Sequence, residues 1–271
     1  MKASLIIAIY NNTPFLKVIL DSLHFQTEKD FEIIITEDGE NPSVKEFIRK
    51  YPFEQPWKHL TQKDEGWRKN KALNMAIRSA QSDWLIFIDG DCVLHRKFVE
   101  MHIRFADSNT ILAGKRVILD DEASNYLLNE KLNITHIQKK LIKKVIFTKM
   151  KIRHFEESFF ISPDGFLGFI PKRRKLNNLL GCNMSFSKEA IYQINGFDED
   201  YILPAVGEDA DLTWRFIASG YKIKSVRNLA IVYHLFHPIN WVNQDDNLEI
   251  CLRKQLEKTY ICKNGLTKLN Y

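Results

Sequence analysis

Three short apolar runs, each stopped abruptly by polar residues, constrain this chain more than anything else in it. Ala3–Tyr10 ends at Asn11-Asn12-Thr13-Pro14, Phe31–Thr36 at Glu37-Asp38-Gly39, and Trp84–Ile88 at Asp89-Gly90-Asp91. The runs are too short for helices, and their nearly continuous hydrophobicity suits strands buried on both faces. Helical spacing fills the intervals. Phe15, Val18, Ile19, Leu20 and Leu23 follow Pro14, with Thr13 as the expected N-cap; Ser43–Lys50 and Lys69–Ala80 are further helices. The alternation predicts an α/β protein, with a mostly parallel central sheet and helices on both faces. Ligands of such sheets bind beyond the carboxyl ends of the strands, so the three polar tips are expected to share one crevice. No G-x-G-x-x-G follows the first run and no G-x-x-x-x-G-K-[ST] occurs anywhere, which argues against dinucleotide-dependent oxidoreductases and P-loop NTPases.

Further along, the pattern predicts a helix over Phe98–Ala106, a strand over Ile111–Leu119, a helix-rich stretch from Glu122 to Arg153, and short helices over Lys188–Ile194 and Glu208–Ser219. Lys222–Val226 and Ala230–His234 are the last strand candidates. The 271 residues carry a net charge of +5, unevenly spread. From Lys131 to Lys175 twelve basic residues face three acidic ones, a local net of +9 that leaves the remainder near −4. A basic insertion in a mildly acidic body suits a local anionic partner, such as a membrane surface or a phosphorylated acceptor, better than nucleic acid. Between Lys139 and Arg153 lysines alternate with Leu141, Ile142, Val145, Ile146 and Phe147, the composition of a helix lying on an anionic surface; a helix packed on the body with its lysines in solvent is the other reading. No apolar stretch approaches the roughly 20 residues of a spanning helix and no signal-peptide pattern opens the chain, so a cytoplasmic protein is expected, with peripheral binding at the inner face of the cell membrane as a corollary of the basic segment. Cys92, Cys182, Cys251 and Cys262 are scattered without a C-x-x-C pair and read as reduced thiols.

Chemistry concentrates in three places. Asp89 and Asp91 end a buried strand, where two carboxylates need a cation, and a hard divalent ion bridging substrate phosphates supplies one. Gly207-Glu208-Asp209-Ala210-Asp211-Leu212 puts three carboxylates at a helix start, where the dipole favours them and a rigid element can hold a general base. His234 and His237 end a strand three residues apart, candidates for a third metal ligand.

Ile9-Tyr10-Asn11, Glu37-Asp38-Gly39, Gln62-Lys63-Asp64-Glu65-Gly66-Trp67-Arg68, Phe87 through Cys92, Gly181-Cys182-Asn183-Met184-Ser185-Phe186, Asn195-Gly196-Phe197-Asp198, Gly207 through Leu212 and Tyr233 through Pro238 stand in the order seen in family 2 glycosyltransferases of the GT-A fold. The chain resembles most the bacterial branch with a galactosyltransferase-like C-terminal region, akin to chondroitin-polymerase catalytic domains and lipopolysaccharide or capsule transferases. The resemblance covers about residues 3 to 238. It implies a GT-A domain over 1–240, with a nucleotide-binding half to about 119, a basic helical insertion over about 121–175, an acceptor half over about 176–240, and a helical extension over 241–271. It implies that Tyr10 packs on uracil, that Asp38 contacts the base or ribose, and that Asp64 and Arg68 hold the nucleotide. Asp89 and Asp91 resemble the D-x-D pair on the metal diphosphate, with His234 as third ligand and Mn²⁺ or Mg²⁺ as the ion. Asp209 matches the catalytic base, Glu208 contacts a sugar beside it, and Gly181 to Asn183 line the sugar pocket. Two positions depart from the pattern: Glu37 replaces the first of a usual aspartate pair, and Pro204-Ala205-Val206-Gly207 replaces a tryptophan-containing loop.

The implied reaction is inverting displacement at the anomeric carbon of a UDP-sugar by a hydroxyl of a glycan or lipid-linked saccharide. A sugar-nucleotide nucleotidyltransferase would pair a similar sheet with acidic metal ligands, but calls for a glycine-rich basic loop where Asn11-Asn12-Thr13-Pro14 stands. A catalytically silent membrane-binding adaptor would have no use for intact Asp89, Asp91 and Asp209.

Overall fold

The computed structural model describes residues 1–129, 152–204, 206–238 and 242–269. In chain order its strands are β1 (Ala3–Ile9), β2 (Phe31–Glu37), β3 (Trp57–Thr61), β4 (Trp84–Asp89), β5 (Cys92–Leu94), β6 (Thr110–Ala113), β7 (Arg116–Ile118), β8 (Met184–Ser187), β9 (Lys222–Ser225) and β10 (Val232–His234). Seven form the main sheet in the order β3-β2-β1-β4-β8-β6-β9. Every neighbour in it is parallel except β8, which runs against both β4 and β6. A small second sheet, β5-β10-β7, hangs below the end of β4. The α/β class with a mostly parallel sheet is therefore as expected.

Both faces of the sheet are covered, which is why the first three runs read as continuous apolar segments. Leu5, Ile7 and Ile9 of β1 join one core with α1 (Thr13–Leu23), α2 (Pro42–Lys50), α4 (Phe98–Arg104), α5 (Asp121–Asn129) and the small sheet. Ile6 and Ala8, pointing the other way, join a second core with α3 (Lys69–Ser79) and the helices Lys188–Gln193 and Asp209–Ala218.

Several local expectations change. The N-cap of α1 is Asn12 rather than Thr13: its Oδ1 accepts from the Phe15 amide at 3.1 Å, and Thr13 is already helical. The single strand expected over Ile111–Leu119 is two, β6 in the large sheet and β7 in the small one. The chain crosses between them at Gly114, where a Cβ would lie 2.2 Å from the Asn183 carboxamide. β3 and β5 were not expected. The motif Asn195-Gly196 adopts left-handed φ values of 63° and 83°, and the Asn195 carboxamide grips the C-terminal segment, donating to the Cys262 and Thr267 carbonyls at 2.8 Å and accepting from the Thr267 amide at 2.9 Å. The helix of the extension spans Asp245–Leu256. All four cysteines are free and buried. Of the amphipathic segment Lys139–Arg153, residues 139–151 lie outside the described residues, and Arg153 forms an antiparallel bridge to Ile118 rather than a helical turn.

Buried imidazoles give this fold a pH signature. His102 on α4 has Nδ1 2.8 Å from Ser185 Oγ and Nε2 3.1 Å from Asn183 Oδ1, and burial depresses its pKa to about 3. Burial likewise takes His95 down to about 4. An imidazole that is neutral when folded and protonated when unfolded makes the unfolded state bind more protons. Its stabilising contribution is thus complete above about pH 6.5 and lost as pH falls towards the folded value. Histidine side-chain NMR should show both rings still neutral at pH 5; titration of either near pH 6.5 would contradict this placement.

Candidate active site

Register brings the strand tips level: Ala8 of β1 lies opposite Asp89 of β4, and Ile9 opposite Glu37 of β2. Beyond them opens a cavity of about 790 Å³, lined among others by Tyr10, Asp38, Asp64, Lys69, Asp89, Asp91 and His237. Gly90 is required by close approach, since a Cβ there would lie 2.9 Å from the Ala8 carbonyl oxygen. At the mouth the exposed Tyr10 hydroxyl donates to Asp64 Oδ2 at 2.8 Å. Asp38 is held rigidly, its Oδ1 accepting from Gln62 Nε2 and its Oδ2 from the Arg68 amide, both at 2.7 Å. The Arg68 guanidinium instead donates to the Trp67 carbonyl at 2.8 Å and does not line the cavity. Glu37 is buried, accepting from the Asn41 amide at 2.8 Å and lying 2.8 Å from His59 Nε2.

The centre of the site is a residue that sequence reasoning missed. Lys69, in the first turn of α3, places Nζ 2.5 Å from Asp89 Oδ1 and 2.7 Å from Glu208 Oε2. A cation at a helix N-terminus opposes the dipole, and that mismatch is the signal that could have found it. Burial works against its charge, but the carboxylates of Asp89 and Glu208 outweigh burial and hold the ammonium pKa above its ordinary value. Burial pushes Glu208 up to about 7, with Lys69 pulling the other way and Asp89 and Asp209 adding to the rise. Asp209 is also raised, chiefly by burial, while its Oδ2 accepts from the Gly181 amide at 3.2 Å. Gly181 abuts this pair so closely that a Cβ would lie 2.3 Å from Glu208 Oε1. Asn183, expected beside it in the sugar pocket, is fully buried elsewhere: its amide donates to the Lys115 and Ala230 carbonyls at 2.8 and 2.9 Å. Asp211, the third carboxylate of the motif, turns inward to the fully buried Arg215 at 2.8 Å.

Asp91 Oδ2 lies 3.2 Å from His234 Nε2 and 3.1 Å from His237 Nε2. Burial would raise Asp91, yet the two imidazoles, with the Cys92 thiol donating to Oδ1 at 3.1 Å, hold its carboxyl far below the usual range; the same contact with Asp91 raises His237. The three ligand atoms all lie within 4.8 Å of one another. One carboxylate oxygen and two imidazole nitrogens suit a divalent ion such as Mn²⁺. Of the three expected ligands, Asp91 and His234 come together, His237 joins them, and Asp89 stands on the same cavity wall engaged by Lys69.

Residues 4–176 match the family model described as glycosyl transferase family 2, and residues 169–238 match the N-terminal domain of galactosyltransferase. The chain belongs to glycosyl transferase family 2. It is 25% identical over 248 residues to chondroitin synthase of Escherichia coli, a match covering 85% of this chain and 34% of that protein. With hyaluronan synthase of Pasteurella multocida it shares 24% identity over 246 residues, covering 85% of this chain and 24% of the relative. The chain thus spans about a third or less of the length of these curated relatives. The fold is that of GT-A glycosyltransferases. S. aureus TarS 1–349 in complex with UDP-GlcNAc superposes with a TM-score of 0.61 at 15% identity, over 99% of this chain and 68% of that one. The mannosyltransferase PcManGT from Pyrobaculum calidifontis, in complex with GDP-Man and Mn²⁺, gives 0.57 at 15% identity, over 95% and 62%.

Removing the central cation tests the arrangement. Lys69→Met leaves Asp89 and Glu208 uncompensated and is expected to cost roughly 2–4 kcal/mol of stability at pH 8, somewhat less than for a fully buried pair because each side chain keeps some solvent contact. Urea unfolding measures it, and an unchanged midpoint would mean that the two carboxylates do not depend on this ammonium.

Proposed function

We propose that the chain transfers a sugar from a UDP-sugar to a hydroxyl of a bacterial surface glycan or lipooligosaccharide, with inversion and with Mn²⁺ or Mg²⁺. The observation that carries the reading is the Asp89–Lys69–Glu208 bridge, which ties the end of β4 to the acidic start of helix Asp209–Ala218 so that candidate donor and acceptor groups face one crevice. The nucleotide sugars named for the TarS and mannosyltransferase structures support the donor class. The chondroitin and hyaluronan synthases support a glycan acceptor.

In this mechanism Tyr10 offers its exposed ring to the uracil, while Asp38 and Asp64 at the cavity wall take the nucleoside hydroxyls or base, the Arg68 amide holding Asp38 in place. Asp91, His234 and His237, with Asp89 next to them, would hold the divalent ion. When bound it neutralises charge growing on the departing diphosphate. Asp209, raised by burial, accepts the proton of the acceptor hydroxyl, and Glu208 contacts a sugar beside it. A single base opposite the leaving group gives inversion.

Metal-dependent hydrolysis of UDP-glucose, UDP-galactose and their N-acetyl forms tests the class, and no turnover of any with Mn²⁺ would sink it. Asp209→Asn should keep UDP affinity near wild type while transfer falls by about 10²–10⁴. Loss of UDP binding in that variant would give Asp209 another role. Asp91→Asn should abolish the metal dependence of UDP binding. His234→Ala should raise the Mn²⁺ requirement more than His237→Ala, because His234 is held on β10 whereas His237 is exposed beyond it. The reverse ranking would make His237 the principal imidazole ligand.

A further inference from the structure

The segment leading into the second half of the domain presents an apolar tip that the described residues cover only in part, the Arg173 guanidinium lying over the Phe169 ring at 5.4 Å. Phe166 is 94% exposed, Leu167 49% and Phe169 47%, within Gly165-Phe166-Leu167-Gly168-Phe169-Ile170-Pro171. The display is not slack. Successive turns close it, Gly165 donating to the Ser162 carbonyl at 3.1 Å, Gly168 to Gly165 at 2.9 Å and Ile170 to Leu167 at 3.0 Å. A Cβ on Gly168 would lie 2.3 Å from the Pro163 carbonyl oxygen. Both stems are pinned. Asp164 takes a two-pronged bond from Arg104, at 2.5 and 2.7 Å. Asn228 accepts from Arg174 and donates to the Phe159 carbonyl at 2.9 Å. A loop held this firmly, with aromatic and leucine side chains turned outward, spends apolar exposure that a fold without use for it would bury.

Cations surround the tip. Lys172, Arg173 and Lys175 follow it directly and are exposed. Beside it a groove of about 530 Å³ is lined by Lys172, Arg174, Lys175, Lys222 and Lys224 and by no carboxylate. Of the nearby acids, Asp164 is bridged by Arg104 and also faces Lys172, the buried Glu157 meets Arg174 and Arg227, and Glu156 lies 4.0 Å from Arg174. No helix among the described residues is long and apolar enough to cross a membrane. We propose that Phe166, Leu167 and Phe169 insert into the interfacial layer of an anionic bilayer while Lys172, Arg173, Lys175, Lys222 and Lys224 bind its headgroups. Apolar tips alone would suit many partners, but the excess of cations over acids around them, in a groove lined by no carboxylate, favours an anionic surface with an apolar interior. The chain from Lys175 to Gly181, whose amide meets Asp209, reaches at most about 22 Å, so the cationic edge of the docked surface lies within that distance of the crevice.

Sedimentation of the full chain with vesicles of phosphatidylcholine containing phosphatidylglycerol, against phosphatidylcholine alone, tests this. The wild type should pellet only with the anionic vesicles and detach as salt rises. Phe166→Ser with Leu167→Ser and Phe169→Ser should weaken binding at least tenfold, and Lys172→Glu with Lys175→Glu by about fivefold or more per charge. Thermal unfolding and UDP-sugar hydrolysis of both variants should stay at wild-type levels, which separates lost docking from lost folding. Wild-type protein that ignores anionic vesicles at low salt overturns the proposal. So does undiminished binding of the serine variant, which would assign any membrane contact to another part of the chain.

Discussion

One buried ammonium makes the crevice tenable. Asp89, Asp91, Glu208 and Asp209 converge on a region largely withdrawn from water, and burial alone would drive protons back onto Asp91, Glu208 and Asp209. Lys69 answers two of them at once, and the paired imidazoles answer a third. The bridge is also mechanical. It joins the end of β4 to the start of helix Asp209–Ala218, elements more than a hundred residues apart in sequence and on different parts of the sheet. Beside it Asn70 donates to the Gly207 and Asp198 carbonyls at 2.8 and 2.7 Å, so the two halves of the candidate site are fastened to each other at their rim as well as through the core.

What the sequence made legible follows from how each element is buried. β1, β2 and β4 are covered on both faces, so their apolar runs are continuous and end sharply where the crevice begins. β3 lies at the sheet edge, half-buried as Trp57-Lys58-His59-Leu60-Thr61, and carries no such run. β5 has only three residues after Asp91 and disappears into the motif before it. β6 and β7 read as one strand because both are apolar; only Gly114 marks where the chain leaves one sheet for another.

The site divides in the same way. Tyr10, Asp38, Asp64, Asp89 and Asp91 share the cavity wall; the sequence singled out Asp89 and Asp91 as carboxylates ending a buried strand, and Tyr10, Asp38 and Asp64 through the family resemblance. Lys69 was not legible, because a lysine at a helix start reads as a solvated side chain until its carboxylates are located. Asn183 erred in the opposite direction. Its motif suggests a loop facing ligand, whereas its carboxamide ties the crossing between β6 and β7 to the segment before β10. Polar residues used to fasten the interior and those offered to a substrate look alike in one dimension, and only the partner distinguishes them.

The strand order has one more consequence, for what the molecule avoids. A seven-stranded sheet whose outer members are β3 and β9 leaves two rows of backbone donors and acceptors without a neighbouring strand among the described residues. Such rims invite a strand from another chain. Here both strands are short; Lys58 on one rim is already bound to Glu32 and the Ser79 carbonyl, whereas a strand arriving at the other would have to bring acids to match Lys222 and Lys224. Lys222 and Lys224, which line the basic groove, thus also put an unfavourable charge in the path of any strand that would add to β9.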